Sequence, residues 1–273
     1  MLEDLGGCPT YWDRQGAGPH EALFIHCSLA HSGAWRGVRT VLEHELTTLA
    51  YDLPGHGRSS DWDEQSDYQD TAMQAALDLL DRHAHGPVDL VGHSFGGTIA
   101  LRVAQMAPDK VRSLTLFEPV LFATAKDDPA YVENNTYMNG VFADAMRAGD
   151  RMEAARLFNC QWGSDAGWEA LPERLKADMA KQIHLIPAAR GVTHEDIHGQ
   201  VAPGALEKVA LPVLLLEGER SPDLVRAVHD RMEARFPNVR RKVIAGAGHM
   251  GPISHPREVA ACIRGHILQI EQA

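Results

Sequence analysis

The sequence predicts an α/β fold, a mostly parallel sheet with helices packed on both faces. Two features carry that expectation. Short apolar runs alternate with longer helical stretches along most of the 273 residues. A Gly-x-Ser-x-Gly turn, Gly92-His93-Ser94-Phe95-Gly96, also stands between an apolar run and a helical one.

The elements follow in order. Ala22–His26 is the first clear buried strand, and Thr47–Asp52 the second, ending in the turn-rich Pro54-Gly55-His56-Gly57. Ala72, Met73, Ala76, Leu77 and Leu80 recur at helical spacing and predict a helix over Tyr68–His83. Val88–Gly92 is a third strand, and Gly97–Ala107 a helix that Pro108 stops. Ser113–Phe117, Pro212–Leu216 and Val239–Ala245 complete the strands, and Pro256 opens a C-terminal helix.

Between Pro119 and Leu206 the alternation breaks. Helical runs occupy Gly140–Arg147, Arg151–Phe158 and Leu171–Ile183, with no clear strand. Residues 1–118 and 207–273 therefore form the expected core, and 119–206 an inserted helical lid. A second independent domain fits less well, because amphipathic helices of that length have little core of their own. Phe122, Tyr131, Tyr137, Trp162 and Trp168 are large enough to line a pocket beneath such a lid.

Composition narrows the partners. The formal net charge of −11, from 26 basic and 37 acidic residues, repels nucleic acid and anionic membrane surfaces. No stretch approaches 18 consecutive apolar residues, the length a membrane span needs. The start, Met1-Leu2-Glu3-Asp4-Leu5, is too acidic and too short in apolar length for a secretory signal, so a cytoplasmic location is expected. Cys8, Cys27, Cys160 and Cys262 are scattered, which suggests neither a disulfide framework nor a zinc site, and Cys27 and Cys262 sit in core-like apolar runs. Most of the 15 histidines stand singly in polar contexts and read as surface residues. The close pairs His194/His198 and His83/His85 come without a clear third ligand, so no metal is expected.

The chemistry centres on Ser94. Placed between a strand and a helix, it sits on a strained turn that projects its hydroxyl from the sheet. A serine hydroxyl needs a base. Gly246-Ala247-Gly248-His249-Met250 follows the last strand, and its small residues allow a loop to carry the His249 imidazole over the turn.

Leu53-Pro54-Gly55-His56-Gly57-Arg58-Ser59, the Ser94 turn and the Gly248-His249 loop occur in this order and at these separations. Together they resemble the α/β-hydrolase superfamily, in its single-domain esterase, haloperoxidase-like and C–C-hydrolase branch. The resemblance runs from about Tyr11 to Ile270, with the 119–206 region matching only in kind. It implies an eight-stranded, mostly parallel sheet, a catalytic triad, and no metal or organic cofactor.

The chain departs from that family at the acid. The usual Gly-x-x-Asp turn reads Gly218-Glu219-Arg220-Ser221-Pro222-Asp223, with Ser221 where the acid belongs. Asp223 lies two residues on and suits the first turn of the next helix. The favoured alternative is Glu118, at the carboxyl end of the strand after the nucleophile helix. Certain haloalkane dehalogenases carry their acid there, and a carboxylate ending an apolar strand needs a partner such as a histidine N–H.

By the same resemblance, the oxyanion donors are the backbone N–H groups of Phe95 and Ser28. The family's His-Gly-x loop here reads His26-Cys27-Ser28, and His26 is expected to support the loop rather than act as a second base. Asp52 and His56 read as structural turn residues, Trp35 as core or pocket wall, and Met250 as packing. The implied activity is hydrolysis of small to medium carboxylic esters through an acyl-enzyme on Ser94, by a monomer or homodimer. A C–C bond hydrolase using Arg190 as a carboxylate clamp and a perhydrolase-like enzyme use the same frame. A non-catalytic receptor is the reading from another class.

Overall fold

The structure, a computed structural model, describes residues 1–163 and 166–272. Ser164, Asp165 and Ala273, which fall within the expected lid and core spans, lie outside the described residues. The strands are β1 (Leu2–Leu5), β2 (Cys8–Gln15), β3 (His20–Ile25), β4 (Leu46–Tyr51), β5 (Val88–His93), β6 (Val111–Phe117), β7 (Val213–Gly218) and β8 (Val239–Ile244). They form one eight-stranded sheet in the order β1-β2-β4-β3-β5-β6-β7-β8. Only the pairings β1–β2 and β2–β4 are antiparallel; the rest run parallel. This is the sheet that the resemblance implied.

The hairpin β1–β2 has no counterpart in the strands read from the sequence. β1 is the edge strand and β2 lies next to it. β1 is buried only at Leu5, β2 alternates buried with more exposed positions, and they carry charged residues such as Glu3, Asp4, Asp13 and Arg14. An edge strand therefore lacks the continuous apolar run that marks β4, β5 and β7, which are buried throughout.

Alternation along the central strands builds two cores. Leu23 and Ile25 of β3, Leu114 and Leu116 of β6, and Leu215 of β7 face one way. There they meet α2 (Tyr68–His83) and α3 (Phe95–Met106), through side chains such as Ala76, Leu79 and Ile99. Ala22 and Phe24, Phe117, and Leu214 and Leu216 face the other way. They pack on α1 (Arg36–Val41) and on the C-terminal helix, Pro256–Glu271, through Val38, Val259 and Ile263. Trp35 is fully buried in this second core, edge-on to Phe24 and His93, which settles it as core rather than pocket wall.

Every described element between β6 and β7 is helical: α4 (Pro129–Tyr137), a π-turn (Met138–Phe142), α5 (Ala143–Arg147), α6 (Arg151–Trp162), α7 (Glu173–Gln182), α8 (Leu185–Ala188) and α9 (Arg190–Thr193), with short 3-10 turns. Asp128 and Asp150 accept backbone N–H bonds at the starts of α4 and α6, which is what an N-cap contributes. Contrary to the expectation of little core of their own, these helices bury a cluster that includes Phe142, Ala154, Trp168, Met179 and Ile183. Leu29, from the loop after β3, is part of it and ties the segment to the sheet. Past β7 come α10 (Asp223–Glu233), α11 (Gly251–Ser254) and α12 (Pro256–Glu271).

Candidate active site

Ser94 stands between β5 and α3 with φ 55° and ψ −119°, a backbone conformation costly for any side-chain-bearing residue. The surrounding contacts hold it there. Its N–H donates to the Phe117 carbonyl at 2.9 Å, and its own carbonyl accepts from Gly97 at 3.0 Å. Gly96 is required for the same reason: a Cβ there would lie 2.4 Å from the backbone oxygens of Ile25 and His26.

The Phe117 tie places Ser94 next to the end of β6, where Glu118 follows at φ 47°. Glu118 is fully buried, and each carboxylate oxygen has its own partners. Oε1 accepts from the Gly218 N–H at 2.7 Å and from the Ser221 hydroxyl. Oε2 accepts from His249 Nδ1 at 2.7 Å. That bond fixes the His249 tautomer and leaves Nε2 as the basic nitrogen. The His249 loop passes so close to β7 that a Cβ on Gly218 would lie 2.4 Å from the Ala247 oxygen. His93 Nε2–H donates to the His249 carbonyl at 2.8 Å and braces the loop from the elbow side. Burial pushes His93 well below the usual imidazole range, so it stays neutral in this role.

The structure thus brings Glu118 and His249 into contact and places Ser94 beside them. Ser94 Oγ has no hydrogen bond among the described residues. Asp223 lies exposed at the start of α10, as a first-turn carboxylate, and Ser221 fills the turn position that faces Glu118.

The loop after β3 carries Ser28, and two buried histidines shape it. His26 Nε2 accepts from the Leu53 N–H at 2.9 Å while its Nδ1–H donates to the Cys27 carbonyl at 2.7 Å. His56 Nε2 accepts from the Leu29 N–H at 3.0 Å, with Nδ1 on the Pro54 carbonyl at 3.0 Å. Leu29 itself has φ 58°. Asp52 holds the neighbouring turn by accepting from the N–H groups of Ser32 and Arg58 at 2.7 and 2.9 Å. Burial raises the Asp52 carboxyl, but these bonds outweigh it and the net shift is downward. The backbone N–H groups of Ser28 and Phe95 are left without a hydrogen bond among the described residues. Burial pushes the Cys27 thiol up to about 12, so it stays protonated and inert.

The two loop histidines make the fold acid-sensitive. Burial lowers His26 to about 4 and His56 to about 3, His26 adding to the shift of His56. A base whose folded value is depressed binds fewer protons folded than unfolded, so stability falls as pH drops below the unfolded value near 6.5. Between pH 8 and pH 5 each histidine should remove about 2 kcal/mol of stability. Urea unfolding across that range checks this, and His56→Gln, which keeps an acceptor for Leu29, should flatten the slope. An unchanged slope in the variant would assign the sensitivity elsewhere.

A cavity of about 310 Å³ opens over Ser94, Ser28 and Phe95. Its walls are mainly apolar: Val120, Phe122, Met138, Phe142, Phe158 and Trp162 among them. Of the five aromatics expected there, Phe122 and Trp162 line it. Tyr131 packs instead on the His194 ring, Tyr137 donates to the Leu157 carbonyl, and Trp168 lies in the core of the helical segment. Their size is legible in the sequence, whereas the helix rotation that decides which way they face is not.

The general reading of the remaining histidines as surface residues needs correction at His194, His229 and His266. His26, His56, His93, His194, His229, His249 and His266 are all buried, and His194 lines the cavity. His26, His56 and His249 have the buried loop and site positions expected of them, whereas His194 and His229 meet partners distant in sequence, Phe122 and Tyr131 for the first and Glu217 for the second. His198 does find carboxylates: Asp67, Asp70 and His198 present ligand atoms within 4.8 Å of one another. Asp67 Oδ1 is engaged there as the cap of α2, accepting from the Asp70 N–H at 2.8 Å.

A model of the alpha/beta hydrolase family matches residues 22–262 of this chain. The chain belongs to that family. A lipase of Mycobacterium tuberculosis, LipV, is 30% identical over 265 residues, covering 92% of this chain and 94% of that protein. A pimeloyl-[acyl-carrier protein] methyl ester esterase of Nitrosomonas europaea is 25% identical over 255 residues, covering 90% and 95%. The solved structure of an alpha/beta hydrolase from Sphaerobacter thermophilus shares the fold, with TM-score 0.73 at 20% identity over 98% of this chain and 100% of that one. Among the described residues of this alpha/beta hydrolase, no helix is long and apolar enough to cross a membrane.

Proposed function

We propose that this alpha/beta hydrolase is a serine carboxylic ester hydrolase acting on small to medium esters by two-step acyl transfer. The observation that carries the reading is the buried Glu118–His249 pair at 2.7 Å beside the strained turn of Ser94, a residue that lines an apolar cavity. Similarity to a lipase and to a methyl ester esterase supports it.

Ser94 Oγ attacks the ester carbonyl while His249 Nε2 takes its proton. Glu118 holds the ring and stabilises the imidazolium, and the Ser28 and Phe95 N–H groups receive the oxyanion. His249 returns the proton to the departing alcohol, and water releases the acid by the same route in reverse. Residues 119–206 act as a lid whose inner face shelters the acyl or alcohol chain.

The cavity's size sets the expected range. At about 310 Å³ it stands at the small end of ligand sites. With p-nitrophenyl esters of acetate, butyrate, octanoate and palmitate, kcat/KM should peak at butyrate or octanoate and collapse at palmitate. Turnover of no ester would sink the reading. Arg190 also lines the cavity, which favours one second reading, a C–C hydrolase with an arginine clamp. Its guanidinium is partly engaged, 3.3 Å from Asn135 Oδ1 and 3.8 Å from Glu195. A vinylogous diketone acid in the same panel separates the two.

A further inference from the structure

His194 is more than nine-tenths buried and lines the cavity, on the helical segment opposite the sheet. Its hydrogen bonding defines what its free nitrogen can do. The Thr193 hydroxyl has a single proton and donates it to the Ala189 carbonyl at 3.1 Å. The 2.9 Å contact between Thr193 Oγ1 and His194 Nδ1 is then a bond in which Nδ1–H donates. Nε2 is left as a bare lone pair without a partner among the described residues, covered by its neighbours in this structure, so a ligand donor reaches it by a small turn of the ring toward the cavity. Rings hold it in place: Phe122 edge-on at 5.0 Å and Tyr131 at 5.7 Å. Burial lowers the imidazole to about 4, with Arg190 and Lys126 adding to the shift, so at neutral pH this nitrogen is an acceptor.

The same ring chain connects it to the chemistry. Phe122 stacks toward Trp162 at 5.4 Å, and Trp162 meets the His249 ring at 5.0 Å. His194 therefore lies two aromatic rings from His249, on the wall of the cavity that Phe122 and Trp162 also line. A buried polar atom without a partner is unfavourable in an apolar cavity, and a ligand that supplies the missing donor gains what the free site lacks.

We propose that the preferred esters carry a hydrogen-bond donor, a hydroxyl or an amide N–H, on their otherwise apolar chain, and that His194 Nε2 accepts it. This deepens the ester-hydrolase reading and rests on it. His194 is a specificity-determining residue, remote from the reacting carbonyl.

The test uses p-nitrophenyl octanoate and analogues in which one hydroxyl is moved carbon by carbon along the acyl chain. In the wild-type protein one positional isomer should exceed the parent in kcat/KM by about tenfold, the size of one good neutral hydrogen bond. His194→Phe and His194→Met remove the acceptor and should bring that ratio close to one. His194→Gln, whose amide oxygen still accepts, should restore part of it. A flat wild-type profile, as when a water satisfies Nε2, overturns the proposal whether or not the variants fold. So does a preference that survives in His194→Phe. If parent and analogues are both turned over with equal efficiency, the hydrolase reading stands and only the role of His194 falls. If none is turned over, both fall.

Discussion

Ser94→Ala should lower kcat on p-nitrophenyl butyrate by at least about 10⁴-fold, because removing the nucleophile leaves only binding and oxyanion stabilisation. A fluorophosphonate probe should label the wild-type protein at Ser94 and leave the variant unlabelled. The backbone supplies a control that separates chemistry from folding. Ser94 is held at φ 55° by the Phe117 and Gly97 hydrogen bonds, neither of which needs its side chain. Alanine suffers the same strain as serine, so its melting temperature should match the wild type. Ser94→Gly relieves that strain and should gain about 1 kcal/mol in stability while remaining inactive. Loss of activity with unchanged or higher stability isolates the hydroxyl. Residual turnover above about one per cent of wild type in a homogeneous Ser94→Ala preparation would place the nucleophile elsewhere.

Much of this arrangement is legible in the sequence because the groups concerned sit at strand ends. β5 and β6 are buried runs whose last residues fall at the sheet's carboxyl edge, so Ser94 and Glu118 announce their own positions. Gly218 and Ser221 are legible only in part. The turn visibly lacks its acid, but the Ser221 hydroxyl on Glu118 is a contact across 103 residues. The β1–β2 hairpin is hidden because an edge strand need not be apolar on both faces. His194 is hidden for a different reason. It sits between Thr193 and Glu195, and its burial depends on Phe122 and Tyr131, which helix packing alone brings to it. The strongest sequence signals therefore mark the sheet and its edge, and the weakest lie in the helical segment that shapes the cavity.

The acid is where sequence left a real choice, and the expected outcome is asymmetric. Glu118→Gln should cost about 10³- to 10⁴-fold in kcat, and Asp223→Asn no more than about twofold. Glutamine keeps the shape of the side chain but replaces one carboxylate oxygen with an N–H donor. Either that donor faces His249 Nδ1 and reverses its tautomer, or it faces the Gly218 N–H and leaves two donors opposed. Both arrangements lose the charge that stabilises the imidazolium. Asp223 is exposed at the start of α10, so losing its charge removes a surface helix-end interaction and nothing at the His249 ring. Ser221→Ala provides the intermediate case, since it removes one donor from Oε1 and leaves the Oε2 bond to His249 intact; about tenfold is expected. Full activity in Glu118→Gln with loss in Asp223→Asn would reverse the assignment. The reason to expect the first result is positional. With serine in the turn after β7, the only carboxylate in contact with His249 among the described residues is the one at the end of β6, and that turn has become its support.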